Sequence, residues 1–405
     1  MRGRLIFYCQ PVLGMGHLMR SLAILRGLPD FEIWFVNGGL PLNDDLRRMV
    51  PPHVQMIDLP PLQADPDFKE IRPAGIFSTK TADPVTWPSI ESIWRRRREI
   101  LHQLLARVTP DILLIELYPF GRLKFDAELR PLIESARELK RAPRIVCSLR
   151  DILVTKHDQK GFEDFAISTA NRLFDLILIH SDERFQPFAE TFPPLDRLTC
   201  RIAYTGYIVP TLEHREPSLL PGVPGIVASI GGGRVGVELL WLTIRASRLL
   251  VAGLPHQLRI FTGPYLPESD FAALTTACSG DQQISVQRFT SDLAGEMNQA
   301  SLSISLAGYN TCMDIIVAGV PALVHPFTGN ENTEQTIRAR KLAELGIVQI
   351  IPPDCLAPER LAPERLAWLI SRSLAHHEYV SRPTLDSGGV EKTAQLLREG
   401  IEQGL

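Results

Sequence analysis

The chain has 405 residues, of which 45% are hydrophobic and 22% charged, and its formal net charge is −3. This length suggests two or three domains with substantial cores, and the charge gives no reason to expect wholesale binding to nucleic acid. Six cysteines are scattered without a CxxC pair, which indicates a reduced, cytoplasmic setting. The short apolar run near the N-terminus is interpreted as a strand, and no apolar run of about 18 residues is present to span a membrane.

The first half of the chain alternates strand-like and helix-like segments. Strands are predicted at residues 4–10, 32–37, 111–116, 144–149, 176–180 and 201–207, with helices at 18–27, 89–108, 128–139 and 162–173. The proline-rich passage 51–88 is predicted to be a loop with short elements. Alternation of this kind favours a parallel sheet covered on both faces.

A second alternating series follows a proline-rich linker at 211–224. Its strands are predicted at 226–230, 257–262, 284–289, 302–305, 321–324 and 348–350, and its helices at 237–251, 292–299, 311–318, 334–345, 363–375 and 390–402. The sequence LAPER occurs twice in tandem at 356–365 and is read as a local duplication. The predicted fold is α/β, with doubly wound domains at 1–210 and 225–385 facing a cleft, and a last segment, 386–405, that packs back on the first domain.

A glycine turn after the first predicted strand is the first chemical signal. Residues 14–20 read GMGHLMR, where Gly14 and Gly16 let a ligand approach the backbone and the helix N-terminus favours an anion or a polar acceptor group. His17 then lies at the carboxyl edge of the sheet, where a neutral imidazole could remove a proton from a hydroxyl or water. The alternative is a histidine that caps a turn.

The first of two glycine turns in the second domain follows its first predicted strand. Residues 229–234 read SIGGGR, and the backbone N–H groups of Gly231, Gly232 and Gly233, with the Arg234 side chain, could hold a diphosphate. Plain turn chemistry is the competing reading.

The second of these turns comes from residues 308–314, which read GYNTCMD. Asn310 or Thr311 is predicted to cap the new helix, with Asp314 one turn in, placed to accept hydrogen bonds from ribose hydroxyls. The helix dipole alone would also favour Asp314 there. A polar loop downstream adds Glu334 and Gln335. Together these features indicate a site for a phosphorylated sugar carrier.

Polar residues also end two strands of the first domain. Glu116 is predicted to orient His17 or to bind an acceptor, and Arg122 to contact an anion. Arg150 and Asp151 end the next strand in the same way. Each of these could equally be a solvated loop residue.

Two other features are read as surface. Four consecutive arginines at 95–98 lie within the long predicted helix and are interpreted as solvated, although neighbouring apolar residues leave a peripheral contact with anionic lipid or a phosphorylated acceptor open. The pair Asp65 and Asp67 imitates a metal site but has no supporting ligands, so no metal is predicted.

On these residues the chain resembles two-domain glycosyltransferases of the GT-B fold, above all those with a family 28 C-terminal half. The GMGHLMR loop also resembles the GxGHxxR loop of a UDP-sugar hydrolase. The resemblance covers nearly the whole chain and is strongest at 287–347. It implies an acceptor-side first domain and a nucleotide-sugar-binding second domain.

The resemblance also implies roles for individual residues. The diphosphate of the donor would be held by a loop made of Gly231, Gly232, Gly233 and Arg234, and the backbone of Phe289 would contact the base. The phosphates would also be approached by Gly308, Asn310 and Thr311. The ribose would be bound by Asp314, and the donor sugar by Glu334 and Gln335. Asp314 stands where the family usually has a glutamate. His17 would be the catalytic base with Glu116, and the acceptor side would include Gly14, Gly16, Arg20, Arg122, Arg150 and Asp151.

The expected reaction is inverting transfer from a nucleotide sugar, UDP-linked, to a small-molecule or lipid-linked acceptor, without a cofactor or an obligatory metal. Closure of the domains would bring His17 to the anomeric carbon. A nucleotide-sugar hydrolase would use the same residues with water as the nucleophile. A non-catalytic nucleotide-sugar-binding subunit would need a partner, and the presence of Gly14, Gly16 and His17 argues against it. A sugar 2-epimerase is disfavoured, because no extra carboxylates are assigned to ring chemistry.

Overall fold

The computed structural model describes residues 3–12, 15–64, 70–74, 89–212, 222–329, 333–357, 360–375 and 384–402. Two compact units divide the chain. Unit 1 comprises Met1–Ile208 together with Leu385–Leu405, and unit 2 comprises Val209–Thr384. The predicted linker at 211–224 lies largely outside the described residues, as do Gly14, Asp65 and Asp67.

Unit 1 is built on a seven-stranded sheet in which every pairing is parallel. Its strands are β1 (Arg4–Cys9), β2 (Glu32–Asn37), β3 (Val54–Asp58), β6 (Ile112–Glu116), β7 (Arg144–Arg150), β8 (Leu176–His180) and β9 (Arg201–Tyr204). The order is β3-β2-β1-β6-β7-β8-β9, so the direction of winding reverses between β1 and β6. A separate antiparallel pair joins β4 (Leu62–Ala64) to β5 (Ile71–Pro73).

The helices of unit 1 cover both faces of this sheet, since the central strand β6 and the inner strand β8 are buried at every position. They are α1 (Gly16–Arg26), α2 (Asp44–Arg48), α3 (Ile90–Val108), α4 (Asp126–Arg137), α5 (Gln159–Leu173) and α12 (Gly389–Glu402). The last of them, α12, packs against α1, with Val390 against Gly27 and an exposed ion pair of 2.7 Å between Arg398 and Asp30.

Unit 2 repeats the design with a six-stranded parallel sheet. Its strands are β10 (Gly225–Ser229), β11 (Gln257–Phe261), β12 (Ile284–Gln287), β13 (Leu302–Leu306), β14 (Ala322–His325) and β15 (Gln349–Ile350), in the order β12-β11-β10-β13-β14-β15. Its helices are α6 (Val237–Leu250), α7 (Glu268–Cys278), α8 (Leu293–Asn298), α9 (Tyr309–Ala318), α10 (Glu334–Glu344) and α11 (Pro363–Ala375). The tandem LAPER segment forms the short pair β16 (Leu356–Ala357) and β17 (Arg360–Leu361) before α11.

The predicted pair of doubly wound, Rossmann-like α/β units is confirmed, although several elements were not predicted, among them the short strands β16 and β17. The strand β3 belongs to the main sheet, although its half-buried edge position and proline-rich surroundings made it resemble a loop. The helices α2 and α7 were also not predicted. The first has only five residues, and the second has a weak apolar stripe in which two residues are buried.

The arginine run in α3 was wrongly interpreted as uniformly solvated. Arg95 and Arg96 are exposed, but Arg97 is fully buried, because it shares a helix face with Ile93 and Leu101. Its guanidinium lies 2.6 Å from Glu128 of α4 and donates hydrogen bonds to Tyr8 and to two backbone carbonyls. Burial of this arginine is tolerated because its charge and its donors are matched.

Candidate active site

Each unit has a point where the winding of its sheet reverses, and the predicted site residues gather there. In unit 1 this point lies between β1 and β6, and in unit 2 between β10 and β13. Open parallel sheets bind ligands at such points, outside the carboxyl ends of the strands. In unit 1 the start of α1 carries His17 there and the end of β6 carries Glu116, and in unit 2 the two glycine turns begin there.

A histidine–glutamate pair occupies the reversal point of unit 1. His17 is the second residue of α1, and its Nδ1 lies 2.6 Å from Oε1 of Glu116, the last residue of β6. Arg20, one turn further along α1, donates a hydrogen bond to the same carboxylate oxygen. Glu116 is fully buried, whereas the His17 side chain keeps 14% of its surface exposed. The ring is therefore anchored at Nδ1 and accessible to a ligand.

The charges around this pair leave His17 neutral. Burial lowers the pKa of His17 to about 4, with Arg122 and Arg20 lowering it further and Glu116 opposing them. Burial by itself would raise the pKa of Glu116, but His17, Arg20 and Arg122 hold that pKa at about 2. At neutral pH an ionised Glu116 accepts the Nδ1–H of a neutral His17. The lone pair of Nε2 is then free to take a proton.

The remaining acceptor-side residues lie at the same edge of the sheet. Gly16 begins α1, Arg150 is the last residue of β7, and the buried Asp151 follows it, accepting the backbone N–H of Ile152 at 2.9 Å. Arg122 ends the turn after β6 in a left-handed conformation with φ 59°. The structure thus brings these residues to one strand edge with His17.

The glycine-rich loop of unit 2 connects β10 to α6 through three residues with positive φ. Gly231, Gly233 and Gly236 have φ values of 65°, 86° and 89°, a conformation that favours glycine. A β-carbon at Gly233 would lie 2.5 Å from the carbonyl oxygen of Thr262. Gly232 is half-buried, while Arg234 is exposed, 5.0 Å from the ring centroid of Tyr265. The residues that follow β11 therefore pack tightly against this glycine loop.

The turn after β13 leaves the N-terminus of α9 open. The cap is Gly308, in an extended conformation and without a side-chain hydrogen bond, and no acidic residue lies in the first turn. The prediction that Asn310 or Thr311 caps the helix is wrong, because α9 begins at Tyr309 and both residues lie inside it. A side chain at Gly308 would meet no described atom within 4 Å. The positive end of the helix dipole is thus available to an anion.

The two turns of unit 2 are neighbours. A β-carbon at Gly231 would lie 3.9 Å from Oγ1 of Thr311, in the first turn of α9. The glycine loop and the N-terminus of α9 therefore lie side by side at the reversal point, although the N–H groups of Gly231 and Gly233 are bonded within the loop, to Oγ of Ser229 and to the carbonyl of Ile230. A diphosphate is the ligand class that such an arrangement suits.

Asp314 lies in the second turn of α9, two or three residues further from the cap than predicted, because the cap is Gly308 and not Asn310 or Thr311. Burial raises the pKa of Asp314 to about 7, and the neighbouring charge of Asp292 raises it too. A half-buried carboxyl group with this pKa is available as a hydrogen-bonding partner for a polar ligand.

The sugar-binding pair predicted after β14 is tied into the protein. Glu334 is buried and accepts a hydrogen bond of 2.8 Å from Arg338, and Gln335 accepts the backbone N–H of Phe327 at 2.9 Å through its Oε1. Arg338 also donates to the carbonyl of Ala307 at 3.3 Å and so ties α10 to the turn before α9. Phe289 is half-buried just after β12, at the edge of the sheet.

Three relevant residues were missed by the sequence analysis. A β-carbon at Gly263, with φ 86°, would collide with the carbonyl oxygen of Gly231, so this glycine supports the loop from β11. Arg338 and His325, the latter at the end of β14, also lie near the turn after β13. A glycine after a predicted strand, Gly263, was a signal that could have been read. The sequence contained no comparable signal for Arg338 or His325.

Comparison with known proteins agrees with this architecture. Residues 231–377 match the glycosyltransferase family 28 C-terminal domain. The chain is also similar to the UDP-N-acetylglucosamine–N-acetylmuramyl-(pentapeptide) pyrophosphoryl-undecaprenol N-acetylglucosamine transferase of Bordetella parapertussis, at 34% identity over 114 residues. That similarity covers 28% of this chain and 31% of the relative, less than a third of either protein.

Solved glycosyltransferases resemble the chain along its whole length. The calicheamicin glycosyltransferase CalG4 has a TM-score of 0.56 at 18% identity, with 100% of this chain and 96% of that chain covered. For TcCGT1 in complex with UDP the TM-score is 0.61 at 12% identity, with both chains covered completely, at 100%. For Acinetobacter baumannii MurG it is 0.52 at 16% identity, with coverages of 100% and 99%. The chain has the GT-B fold, and its unit 2 is similar to the glycosyltransferase family 28 C-terminal domain.

The segment that matches family 28, residues 231–377, contains all the predicted donor residues, from Gly231 to Gln335. In the described part of this GT-B chain, no group of three or more His, Cys, Asp or Glu side chains is placed to hold a metal ion.

Within the described ranges, none of the helices combines the length and apolar character needed to cross a membrane.

Proposed function

We propose that the protein is a glycosyltransferase that moves a sugar from a nucleotide sugar, UDP-linked, to an acceptor hydroxyl or amine with inversion. The observation that carries the proposal is the position of the glycine loop beside the uncapped α9 N-terminus, at the reversal point of the sheet and within the segment that matches family 28. Uridine is favoured as the base by the name of the Bordetella parapertussis relative and by the complex of TcCGT1 with UDP.

In this proposal unit 2 holds the donor. Diphosphate oxygens accept hydrogen bonds from the glycine loop and the first turn of α9, with Arg234 as an additional cation. The carboxyl of Asp314 takes the ribose hydroxyls, Phe289 offers backbone groups to the base, and Glu334 and Gln335 hold the sugar. The leaving diphosphate is stabilised by these dipoles and not by an obligatory metal. Retention of turnover in excess EDTA is the expected result.

Unit 1 supplies the base. Nε2 of His17 takes the proton of the acceptor hydroxyl. At the same time the hydroxyl oxygen of the acceptor forms a bond to the anomeric carbon, and the bond between that carbon and the phosphate oxygen of the donor breaks. Attack opposite the leaving group inverts the anomeric configuration. Glu116 keeps the His17 ring oriented and stabilises the positive charge that the ring acquires. A small or lipid-linked acceptor fits the proposal, and flotation on phosphatidylglycerol vesicles tests a membrane contact through Arg95 and Arg98.

The donor site is tested by changing Gly308, whose extended backbone accepts any residue. Gly308→Val places a side chain into the open space before α9 without meeting a described atom, so the fold should survive. We expect UDP affinity to fall at least about tenfold, since one lost charged hydrogen bond has that effect. Thermal shift with a panel of nucleotide sugars measures it, because saturation at 100 times Kd stabilises the native state by about 2.7 kcal/mol.

The matched control is Gly253→Val in the turn after α6, where a side chain would also meet no described atom within 4 Å. It should bind UDP like the unaltered protein. Equal UDP binding by the two valine variants would rule out a donor site at Gly308. An assay with donor alone separates transfer from hydrolysis, because steady release of free sugar identifies a hydrolase. Absence of turnover with every acceptor, despite binding of the nucleotide sugar, would identify a binding subunit.

The variant Asp314→Asn should change the stability of the protein in a way that depends on pH, and it should also change ligand binding. The Asp314 pKa is about 7 in the folded protein against an ordinary value of 3.8, so the folded state retains a proton that the unfolded state has lost between these values. Stability from this group is therefore present below pH 3.8 and is lost as pH rises to about 7. Asparagine does not ionise, and the variant should exceed the unaltered protein by roughly 2–4 kcal/mol at pH 8.

Urea unfolding at pH 4 and pH 8 measures this difference, which should nearly vanish at pH 4. UDP affinity of the variant should fall at the same time, because the amide offers the ribose hydroxyls one uncharged acceptor oxygen where the carboxylate offers two charged ones. A stability gain that is equal at both pH values would contradict the raised pKa. Unchanged UDP affinity would remove Asp314 from the donor site.

A further inference from the structure

The segment that follows β11 is fixed against the glycine loop of unit 2 by backbone contacts. The N–H of Tyr265 donates a hydrogen bond of 3.0 Å to the carbonyl of Gly232, and the N–H of Gly263 donates one of 2.8 Å to the carbonyl of Arg288, just after β12. Both bonds belong to the main chain, so they do not depend on which side chain occupies position 265. The half-buried Tyr265 ring therefore extends from a fixed point beside the loop.

The ring of Tyr265 contacts the side chain of Arg234. Arg234 follows Gly233 in the glycine loop, and its guanidinium carbon lies 5.0 Å from the centroid of the Tyr265 ring. Among the described residues, no carboxylate or other hydrogen-bond acceptor pairs with this exposed guanidinium. An aromatic face attracts a cation without using up its N–H donors as an acceptor oxygen would. The donors of Arg234 therefore remain available to an oxyanion.

Such a contact prepares a cation for ligand binding. A mobile arginine side chain loses rotamer freedom when it binds a ligand, and this loss weakens binding. A ring that already holds the guanidinium near the site reduces the loss. For a partly exposed cation–π pair, the gain in affinity is about two- to fivefold. Arginine suits phosphate because its planar donors can bind two oxygens at once.

We propose that Tyr265 is a positioning residue of the donor site, whose ring holds the guanidinium of Arg234 ready for the phosphates of the nucleotide sugar. The inference rests on the proposed function and deepens it by adding a residue that acts through another. Of the two residues, only Arg234 contacts the phosphate oxygens. The ring of Tyr265 is needed for this role, and its hydroxyl is not.

Calorimetric titrations with UDP and with uridine test the proposal, because uridine has the base and ribose of UDP without its phosphates. Arg234→Gln should weaken UDP binding about tenfold, the effect of one lost charge-assisted hydrogen bond. Tyr265→Leu should weaken it about two- to fivefold, whereas Tyr265→Phe should bind UDP like the unaltered protein. Uridine binding should be the same in all of them. Low ionic strength limits the screening of the exposed charge.

The double variant Tyr265→Leu/Arg234→Gln shows whether the ring acts through the guanidinium. It should bind UDP no more weakly than Arg234→Gln alone, because a ring without a cation to hold contributes nothing to phosphate binding. If Tyr265 merely supported the structure of the loop, the double variant would show a further loss, and uridine binding would fall with it.

A matched pair on α11 provides the control. The guanidinium carbon of Arg372 lies 4.7 Å from the centroid of the exposed Trp368 ring. Trp368→Leu removes the same kind of contact from a helix that contains none of the predicted donor residues, and it should leave UDP binding unchanged.

A second substitution covers the case in which Tyr265→Leu does not fold. Pentafluorophenylalanine at position 265 keeps the shape of the phenylalanine ring but removes its negative face. Compared with Tyr265→Phe, it should weaken UDP binding by about the same two- to fivefold and leave uridine binding unchanged.

Failure of this inference and failure of the proposed function give different results. If the unaltered protein binds UDP, and neither Tyr265→Leu nor the fluorinated ring weakens that binding, the inference alone is overturned. A loss that extends to uridine, or that adds to the loss from Arg234→Gln, would also overturn it. Absence of UDP binding by the unaltered protein would overturn the proposed function, and the inference with it.

Discussion

His17→Ala should lower kcat by about 10²–10⁴-fold, the usual contribution of one positioned general base, while UDP affinity stays within about twofold. The reason is positional. The ring is held at Nδ1 by the buried carboxylate of Glu116, 2.6 Å away, so that only Nε2 can accept a proton. Steady-state kinetics with saturating donor and a calorimetric titration with UDP measure the two quantities.

Controls for this variant come from the same unit. His102→Ala on α3 should retain full activity, and Glu116→Gln should lose activity while retaining UDP binding, because the amide cannot stabilise a protonated ring. The His17 pKa of about 4 further predicts a rate that rises with pH through that value and is flat above pH 6. Full turnover of His17→Ala would exclude the residue as the base. An acid limb near pH 6.5 would instead contradict the effect of burial on its pKa.

Arg97→Met should destabilise the protein by about 3–5 kcal/mol, because it leaves the carboxylate of Glu128 buried without its partner. In the native protein Arg97 and Glu128 are both fully buried and 2.6 Å apart, with Tyr8 also hydrogen-bonded to Glu128. Urea unfolding of unit 1, followed by tryptophan fluorescence, measures the change in the free energy of unfolding. The double variant Arg97→Met/Glu128→Leu should recover most of the loss, since no unpaired charge then remains.

The neighbouring arginine provides a matched control. Arg96 is exposed and forms a surface pair with Glu99 at 3.2 Å. Arg96→Met should change the free energy of unfolding by less than about 1 kcal/mol. If Arg97→Met and Arg96→Met lowered the free energy of unfolding by similar amounts, the buried pair would be no more important for stability than the surface pair. A double variant as unstable as Arg97→Met alone would show that Glu128 is not the source of the cost.

Much of the architecture was predictable because its signals are local. Apolar runs of strand length separated by amphipathic segments predicted two parallel sheets, and glycines directly after strands predicted where ligand-facing turns would lie. Strand β3 and helices α2 and α7 escaped because edge strands, very short helices and weak apolar stripes hardly differ from loops in a single sequence. The position of the α9 cap was missed for a related reason. Gly308 caps that helix through its backbone and carries no side-chain signal.

The sequence by itself determined where chemistry could occur, since each parallel strand must deliver its following turn to the same sheet edge. Tertiary structure alone decided which residues meet there. His17 and Glu116 are 99 positions apart in the chain, yet the β1–β6 pairing brings them into contact. Burial and neighbouring charge, which no sequence pattern records, made Arg97 a core residue, left His17 neutral and raised the pKa of Asp314. Electrostatic energies depend on distance and solvent exclusion, and both exist only once the chain has folded.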